Sequence, residues 1–203
     1  MNKEKELIDK LIDLAFAEDI GDGDHTTLSC IPATAMGKSK LLIKEAGVLA
    51  GIEVAKEIFN RFDPSMKVEV FINDGTEVKP GDVAMIVEGK VQSLLQTERL
   101  MLNVMQRMSG IATMTRKYAR QLEGTHTRVL DTRKTTPGMR ILEKMAVKIG
   151  GGVNHRIGLF DMILLKDNHV DFAGGIDKAI NRAKDYCKEK GKDCLLYTSD
   201  AAD

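Results

Sequence analysis

The chain has 203 residues, of which 43% are hydrophobic, and its 30 basic and 30 acidic residues leave no formal net charge. This balance excludes a polybasic nucleic-acid-binding protein, and the hydrophobic fraction excludes a highly charged disordered chain. No apolar run reaches the roughly 18 residues that a membrane-spanning helix needs, and residues 1–10 are too charged for a secretory signal. We therefore expect a globular cytoplasmic protein that binds neither nucleic acid nor a membrane.

Helix and strand patterns alternate over the first 90 residues. Apolar residues recur at helical spacing over 4–16, which predicts an amphipathic first helix. The elements predicted after it are a strand over 39–45, a helix over 51–62 and strands over 67–72 and 83–88. Turn residues at 74–75 and 80–82 separate the last two strands. This region is expected to form a small α+β unit.

Neither the acidic loop at 19–27 nor the cysteines carry a metal-site pattern. Counted from Asp22, a calcium loop of the EF-hand type needs Gly at its sixth position and Glu at its twelfth, which here are Thr27 and Ala33. We interpret the segment as a connector. The three cysteines lie in no zinc-ligand or disulfide spacing and are expected to be reduced: they are Cys30, Cys187 and Cys194.

The second half of the chain predicts parallel βα units. A long helical pattern covers 91–122, with Gly110 as its weak point. Strand and helix patterns then alternate over 128–131, 139–149, 162–165 and 176–190, and 193–198 begins a third strand. Two βα units cannot close a barrel of about eight. We therefore expect the first part of an α/β barrel, with residues 195–203 as a truncated or artefactual end.

Positive charge is concentrated between residues 128 and 166, where eight basic residues stand against three acidic ones. Arg140, Lys144 and Lys148 recur every four residues on one predicted helix, and we interpret them as a solvated helix face. Four other basic residues follow predicted strands or lie in the glycine-rich loop at 150–158. In α/β folds, ligands bind at the carboxyl ends of the strands, so these four residues are candidates for a binding site. They are Arg133, Lys134, Arg156 and Lys166.

The basic segments predict a site for a polyanionic small molecule. The loop at 150–158 matches neither a Walker A nor a dinucleotide-binding pattern. It also carries His155, for which a neutral histidine hydrogen-bonded within the loop stays an open alternative.

At these residues the sequence resembles the quinolinate phosphoribosyltransferase family. The matching stretches occur in family order and include EDIGDGDHTT at 18–27, DTRKTTPGMR at 131–140, GGVNHR at 151–156 and LLKDNH at 164–169. Further matches cover 47–51, 74–81 and 98–113. The resemblance implies a type II phosphoribosyltransferase-like fold. It also implies transfer of a phosphoribosyl group from phosphoribosyl pyrophosphate to quinolinate, which gives nicotinate mononucleotide, pyrophosphate and CO2 for NAD biosynthesis.

The resemblance also implies roles for individual residues. Arg133, Arg156 and Lys166 would hold the quinolinate carboxylates with His155 beside them, and Lys134 would meet phosphoribosyl pyrophosphate. Of these, Lys166, Arg133 and His155 are the expected catalytic residues. In addition, Arg107 would reach the active site of the neighbouring subunit of a homodimer, and Mg2+ would be the cofactor. Individual roles for Asn168 and His169 stay open.

The family pattern implies the domain boundaries, and this sequence departs from the pattern at its C-terminal end. We expect an N-terminal α+β sandwich-like domain over 1–109, whose first helix packs there or on the barrel, and a partial α/β-barrel domain over 110–194. The acidic Mg2+ ligands of the family would lie beyond this sequence. Two alternatives remain: a fold-related paralogue of the kind associated with molybdenum transport, which Arg133, Arg156 and Lys166 disfavour, and an inactive anion-binding fragment.

Overall fold

The computed structural model describes residues 3–192 and 196–198, and the chain divides into two units, Met1–Asn154 and His155–Asp203. The elements of the first unit are α1 (Lys3–Asp19), α2 (His25–Cys30), β1 (Met36–Leu42), β2 (Gly47–Val48), α3 (Ile52–Phe62), β3 (Lys67–Val70), β4 (Glu77–Val78), β5 (Val83–Lys90), α4 (Val91–Gln121) and α5 (Arg140–Ile149). Those of the second unit are β6 (Ile163–Leu165), α6 (Asp167–Ala173), α7 (Ile176–Lys190) and β7 (Leu196–Thr198).

A three-stranded antiparallel sheet in the order β1-β5-β3 forms one layer of the first unit. The central strand β5 pairs Val87 with Ser39 on one side and with Val68 on the other. Its residues are the most deeply buried of the sheet, because β5 alone is flanked on both edges. The register shifts between Leu41 and Leu42, where β1 leaves the sheet.

The core of this unit lies where α3 and α4 pack. Its central residues from the two helices are Ile52, Ala55, Ile58, Phe59, Val104, Met105, Met108 and Ala112. Methionine, whose flexible side chain fills irregular gaps, contributes several of the buried core residues between these elements. The first helix α1 packs against α3 through Phe16, whose ring centroid lies 5.1 Å from that of Phe62. It also contacts α5.

The short strand β2 is held to α4 by side-chain hydrogen bonds. The backbone N–H of Val48 donates to Thr113 Oγ1 at 2.8 Å, and that of Ala50 donates to Ser109 Oγ at 3.0 Å. Ser109 Oγ in turn donates to the carbonyl of Ala50 at 3.2 Å. A side chain at Gly47 would collide with Thr113, since a Cβ there would lie 2.6 Å from its Oγ1. Two motifs of the sequence, 47–51 and 98–113, are therefore joined by hydrogen bonds between side chains of α4 and the backbone at β2.

The βα pattern of the second half is confirmed, with one strand reduced to a bridge. The strand predicted over 128–131 is wrong in extent, because only a parallel bridge between Leu130 and Val153 forms. The second unit pairs β6 with β7 in parallel, connected through α6 and α7. This is the crossover connection that parallel strands require. Residues 193–195 of the predicted third strand lie outside the described residues.

Several short elements were not predicted. The connector at 19–27 contains the start of α2, whose N-cap Asp24 accepts a hydrogen bond from Thr27 N at 3.0 Å. Strands β2 and β4 and helix α6 were also missed. Among the helices that the structure describes, none combines the length and the apolar character needed to cross a bilayer.

Candidate anion-binding site

The loop 131–136 presents Arg133 and Lys134 directly after the bridge between Leu130 and Val153. Arg133 is half-buried, and its Nε is inaccessible to solvent and meets no hydrogen-bond partner among the described residues. Lys134 is exposed, and its backbone N–H donates to Thr132 Oγ1 at 3.0 Å. The loop therefore holds a guanidinium with an unused donor beside an exposed ammonium.

Helix α5 holds this loop from one face. Arg140 Nε donates to Thr135 Oγ1 at 3.0 Å, and Arg140 Nη2 lies 3.4 Å from the carbonyl of Arg133. Glu143 Oε2 accepts from the backbone N–H of Thr136 at 3.4 Å. Positions three residues apart on a helix share a face, so both side chains reach the same loop. The loop conformation is thus set by contacts to α5.

Lys144 corrects the expectation of a solvated helix face. It is 1% exposed, and its ammonium forms an ion pair with the carboxylate of Asp131, which starts the loop. With its amide nitrogen turned towards Asp131, Asn154 donates to Asp131 Oδ2 and to the carbonyl of Lys144, both at 2.9 Å. Of the three basic residues, only Lys148 is exposed. The prediction is therefore wrong for Lys144, and the half-buried Arg140 serves the loop instead.

The C-terminus of α5 is fixed to α4 by Arg116. Its Nε donates to the carbonyl of Gly150 at 3.0 Å and its Nη2 to that of Ile149 at 3.3 Å. These carbonyls have no partner within the helix, so the guanidinium supplies one. Gly150 packs against α4 so closely that a Cβ there would lie 2.5 Å from the carbonyl oxygen of Ala112. The C-terminal end of the helix that holds the loop is thereby anchored to α4.

Arg107 of α4 reaches the same loop within its own chain. Its Nη2 lies 2.7 Å from Glu143 Oε1 and 3.0 Å from Thr136 Oγ1, while its side chain remains half-exposed. The first unit therefore brings Arg107 together with the loop that carries Arg133 and Lys134. Glu143, which links them, was not singled out from the sequence, although its i, i+3 spacing from Arg140 was a usable signal. Contact of Arg107 with a neighbouring subunit stays a prediction.

The second unit carries the other predicted site residues. Arg156 is 9% exposed, and its Nη1 lies 3.5 Å from the carbonyl of Met162; His155 is half-buried. Lys166 stands at the N-cap of α6, directly after β6. Its backbone N–H donates to His169 Nδ1 at 3.0 Å. His169 thus stabilises the start of α6, which gives it a structural role.

The described part of the chain holds no cluster of three or more His, Cys, Asp or Glu side chains arranged to bind a metal ion. The residues present therefore do not form a resident Mg2+ site. The ionisable groups around the loop instead form cation–carboxylate pairs, Lys144 with Asp131 and Arg107 with Glu143.

An α+β domain followed by parallel βα units defines the class as a two-domain protein with part of an α/β barrel. Family models of quinolinate phosphoribosyl transferase match the chain twice, the N-terminal domain at residues 24–109 and the C-terminal domain at 111–202. The chain therefore belongs to the quinolinate phosphoribosyltransferase family.

Curated relatives agree with this membership. The chain is 48% identical over 181 residues to quinolinate phosphoribosyltransferase (decarboxylating) 1b of Nicotiana tabacum, covering 88% of this chain and 51% of that protein. A probable nicotinate-nucleotide pyrophosphorylase (carboxylating) of Synechocystis is 44% identical, with 86% and 59% covered. The chain spans about half the length of the first curated relatives it matches.

Solved structures share the fold. The crystal structure of NadC from Streptococcus pyogenes superposes with a TM-score of 0.88 at 38% identity and covers 96% of this chain and 68% of that one. The nicotinate-nucleotide pyrophosphorylase from Francisella tularensis superposes with a TM-score of 0.84 at 36% identity, covering 94% and 67%.

Proposed function

We propose that the chain is part of an enzyme that transfers a phosphoribosyl group from phosphoribosyl pyrophosphate to quinolinate, with loss of CO2. The observation that carries this proposal is Arg133, a half-buried guanidinium with an unused Nε donor on a loop fixed by α5. Guanidinium groups bind carboxylates through two parallel hydrogen bonds, and quinolinate has two carboxylates to orient. The names of the curated relatives, at 44–49% identity, support the same substrate.

We assign the basic residues to the two substrates as the family resemblance implies, and the chemistry of their side chains agrees with that assignment. Arg133, Arg156 and Lys166 would hold the carboxylates of quinolinate, with His155 beside them. Lys134, exposed on the loop next to Arg133, would neutralise phosphate charge of phosphoribosyl pyrophosphate. No covalent nucleophile is needed, because positioning and electrostatic stabilisation of charge supply the catalysis.

In the proposed reaction the pyridine nitrogen forms a bond to the anomeric carbon as the bond from that carbon to pyrophosphate breaks. The adjacent pyridinium charge then stabilises the electron pair that stays on the ring carbon when the bond to the 2-carboxylate breaks. CO2 leaves, and a proton takes its place on the ring. The products are nicotinate mononucleotide, pyrophosphate and CO2. Mg2+ would arrive with phosphoribosyl pyrophosphate, whose phosphates are ligands of the kind that this cation takes from substrates.

The same proposal extends to assembly and location. Arg107 is half-exposed beside the loop, so we propose that it contributes to the site of a second subunit in a homodimer. Mixing Arg107→Ala with Arg156→Ala chains should then restore part of the quinolinate binding that each variant loses, and absence of recovery would count against a shared site. The proposed location is the cytoplasm, whereas plant relatives are named as chloroplastic or mitochondrial.

Calorimetry of the chain with quinolinate tests the proposed substrate, with nicotinate as the matched control. Nicotinate lacks the 2-carboxylate, so it should bind at least about tenfold more weakly if two carboxylates are paired. Equal binding of quinolinate, nicotinate and pyrophosphate would indicate a general anion-binding fragment. Absence of quinolinate binding would contradict the proposal.

A further inference from the structure

Lys144 is the most deeply buried charged residue of the site region, and stability alone is a weak reason for its position. It is 1% exposed, and the side chain of its partner Asp131 is 6% exposed. Removing two charges from water costs several kcal/mol per ion, so a buried pair is often no more stable than apolar residues of the same volume. A buried pair does, however, fix the geometry of the segments that it joins.

Both oxygens of the Asp131 carboxylate are engaged, each by a different segment. Oδ1 pairs with Lys144 of α5, and Oδ2 accepts from the side chain of Asn154 at 2.9 Å. Asn154 also donates to the carbonyl of Lys144 at 2.9 Å. We call these three linked side chains the Lys144 triad: Lys144, Asp131 and Asn154.

The triad lies where two proposed substrate-binding segments begin. Asp131 precedes Arg133 by two residues, and Asn154 is covalently joined to His155, which Arg156 follows. The backbones just before them are paired, since Val153 N donates to the carbonyl of Val129 at 2.8 Å and Asp131 N to that of Val153 at 3.1 Å. The Lys144 triad fastens the side chains at the place where this backbone pairing ends.

We propose that the Lys144 triad is a positioning unit. It fixes the backbone direction of residues 132–136 and of His155 where they follow the paired residues 129–131 and 153, and this direction sets the affinity for quinolinate. The proposal rests on the proposed function. Arg140 and Glu143 hold the far part of the loop, at Arg133 O, Thr135 and Thr136. The triad joins both segments through Asp131, so its loss is expected to disturb both together.

The test compares three variants by calorimetry with quinolinate and by amide hydrogen exchange. Lys144→Met removes the buried ammonium at similar side-chain length, and Lys144→Met with Asp131→Asn also removes the negative charge of the carboxylate that paired with it. Lys148→Met is the matched control, because it makes the same substitution one turn further along α5 at an exposed position. Thermal unfolding of each variant measures the effect on the fold.

Lys144→Met is expected to raise the Kd for quinolinate about tenfold or more at unchanged binding stoichiometry, as displaced binding groups do. The double variant should regain part of the unfolding midpoint, since both charges of the buried ion pair are then removed, but it should keep the raised Kd. Exchange should accelerate in residues 131–136 and 153–155 in both. Lys148→Met should match the wild type in every measurement.

A merely structural role gives a different result. Misfolding would lower the stoichiometry while the folded molecules kept the wild-type Kd, and a Kd within about twofold of wild type in both Lys144 variants would overturn the proposal. Failure of the wild type to bind quinolinate would overturn the proposed function instead. In that case hydrogen exchange alone tests whether the triad anchors the two segments. Faster exchange at residues 131–136 and 153–155 in the Lys144 variants would support the positioning unit, and unchanged exchange there would contradict it.

Discussion

The guanidinium of Arg133 is the group on the loop from which we expect the largest share of quinolinate affinity. Arg133→Ala should weaken binding by about 2–5 kcal/mol, because a buried carboxylate would lose its charged partner. Arg128→Ala is the control, since Arg128 is exposed and precedes the loop. Calorimetry on the two variants checks this. An unchanged Kd in Arg133→Ala would remove Arg133 from the site.

At the same scale, the chemistry of the site was more predictable than its supporting contacts. Arg133 and Lys134 could be selected because basic residues follow a strand at the place where α/β folds bind ligands. The burial of Lys144 could not, because its partner Asp131 is thirteen residues away and the pairing depends on packing. A lysine that recurs with other basic residues at helical spacing is predicted to be exposed to solvent unless its acidic partner is known. The spacing of Glu143 from Arg140 was a usable signal for its contact with the loop, but its pairing with Arg107 depends on packing, because Arg107 is on another helix.

At the scale of elements, replacing a glycine by alanine should change the free energy of unfolding in opposite directions at Gly47, where β2 contacts α4, and at Gly110 within α4. Gly47→Ala should destabilise the chain by about 1–3 kcal/mol, because the new Cβ would overlap Thr113 Oγ1, which also accepts the Val48 hydrogen bond. Gly110→Ala is the matched control within α4. A Cβ there meets no atom within 4 Å, and helix propensity should stabilise the variant by about 0.5–1 kcal/mol.

Urea unfolding of both glycine variants measures these free energies. The contrast separates collision at β2 from a general effect of adding a methyl group, since the substitution is identical. Equal stability of Gly47→Ala and wild type would show that β2 can move away from α4, contrary to the contact described.

Elements with several turns of regular pattern were predictable, and short ones were not. The helix predicted over 176–190 agrees with α7, and that over 91–122 agrees with α4 within one residue. Strands β2 and β4 contain two residues each, so they cannot show alternation. They exist because turn backbone and α4 side chains supply partners from distant parts of the chain. The predicted strand at 128–131 formed only a bridge.

At the scale of the whole molecule, carboxylates with lowered pKa values predict loss of stability in acid. Hydrogen bonds from Ser65 and then Ser93 hold the pKa of Asp63 below its usual range. A carboxyl with a lower pKa in the folded state stabilises the fold above its unfolded pKa, and this contribution is lost as pH falls through the folded pKa. Burial raises the pKa of Asp74, so its contribution has the opposite sign and declines as pH rises.

We therefore expect the free energy of unfolding to decline below about pH 4, with Asp63→Asn showing a shallower decline than wild type. Ser93→Ala should also reduce the slope, because it removes a hydrogen-bond donor to Asp63 and leaves the carboxyl in place. Urea unfolding at a series of pH values measures this. Parallel curves for wild type and Asp63→Asn would show that Asp63 does not contribute.

If α5 holds loop 131–136 as a binding site for quinolinate, the amides of that loop should respond to the ligand. The most direct measurement is two-dimensional 1H–15N NMR of the labelled chain during titration with quinolinate. We expect saturable shifts concentrated at the amides of residues 131–136, 154–156 and 166. Absence of shifts there, or shifts confined to the separate groove lined by Arg116, Lys117 and Arg120, would contradict it.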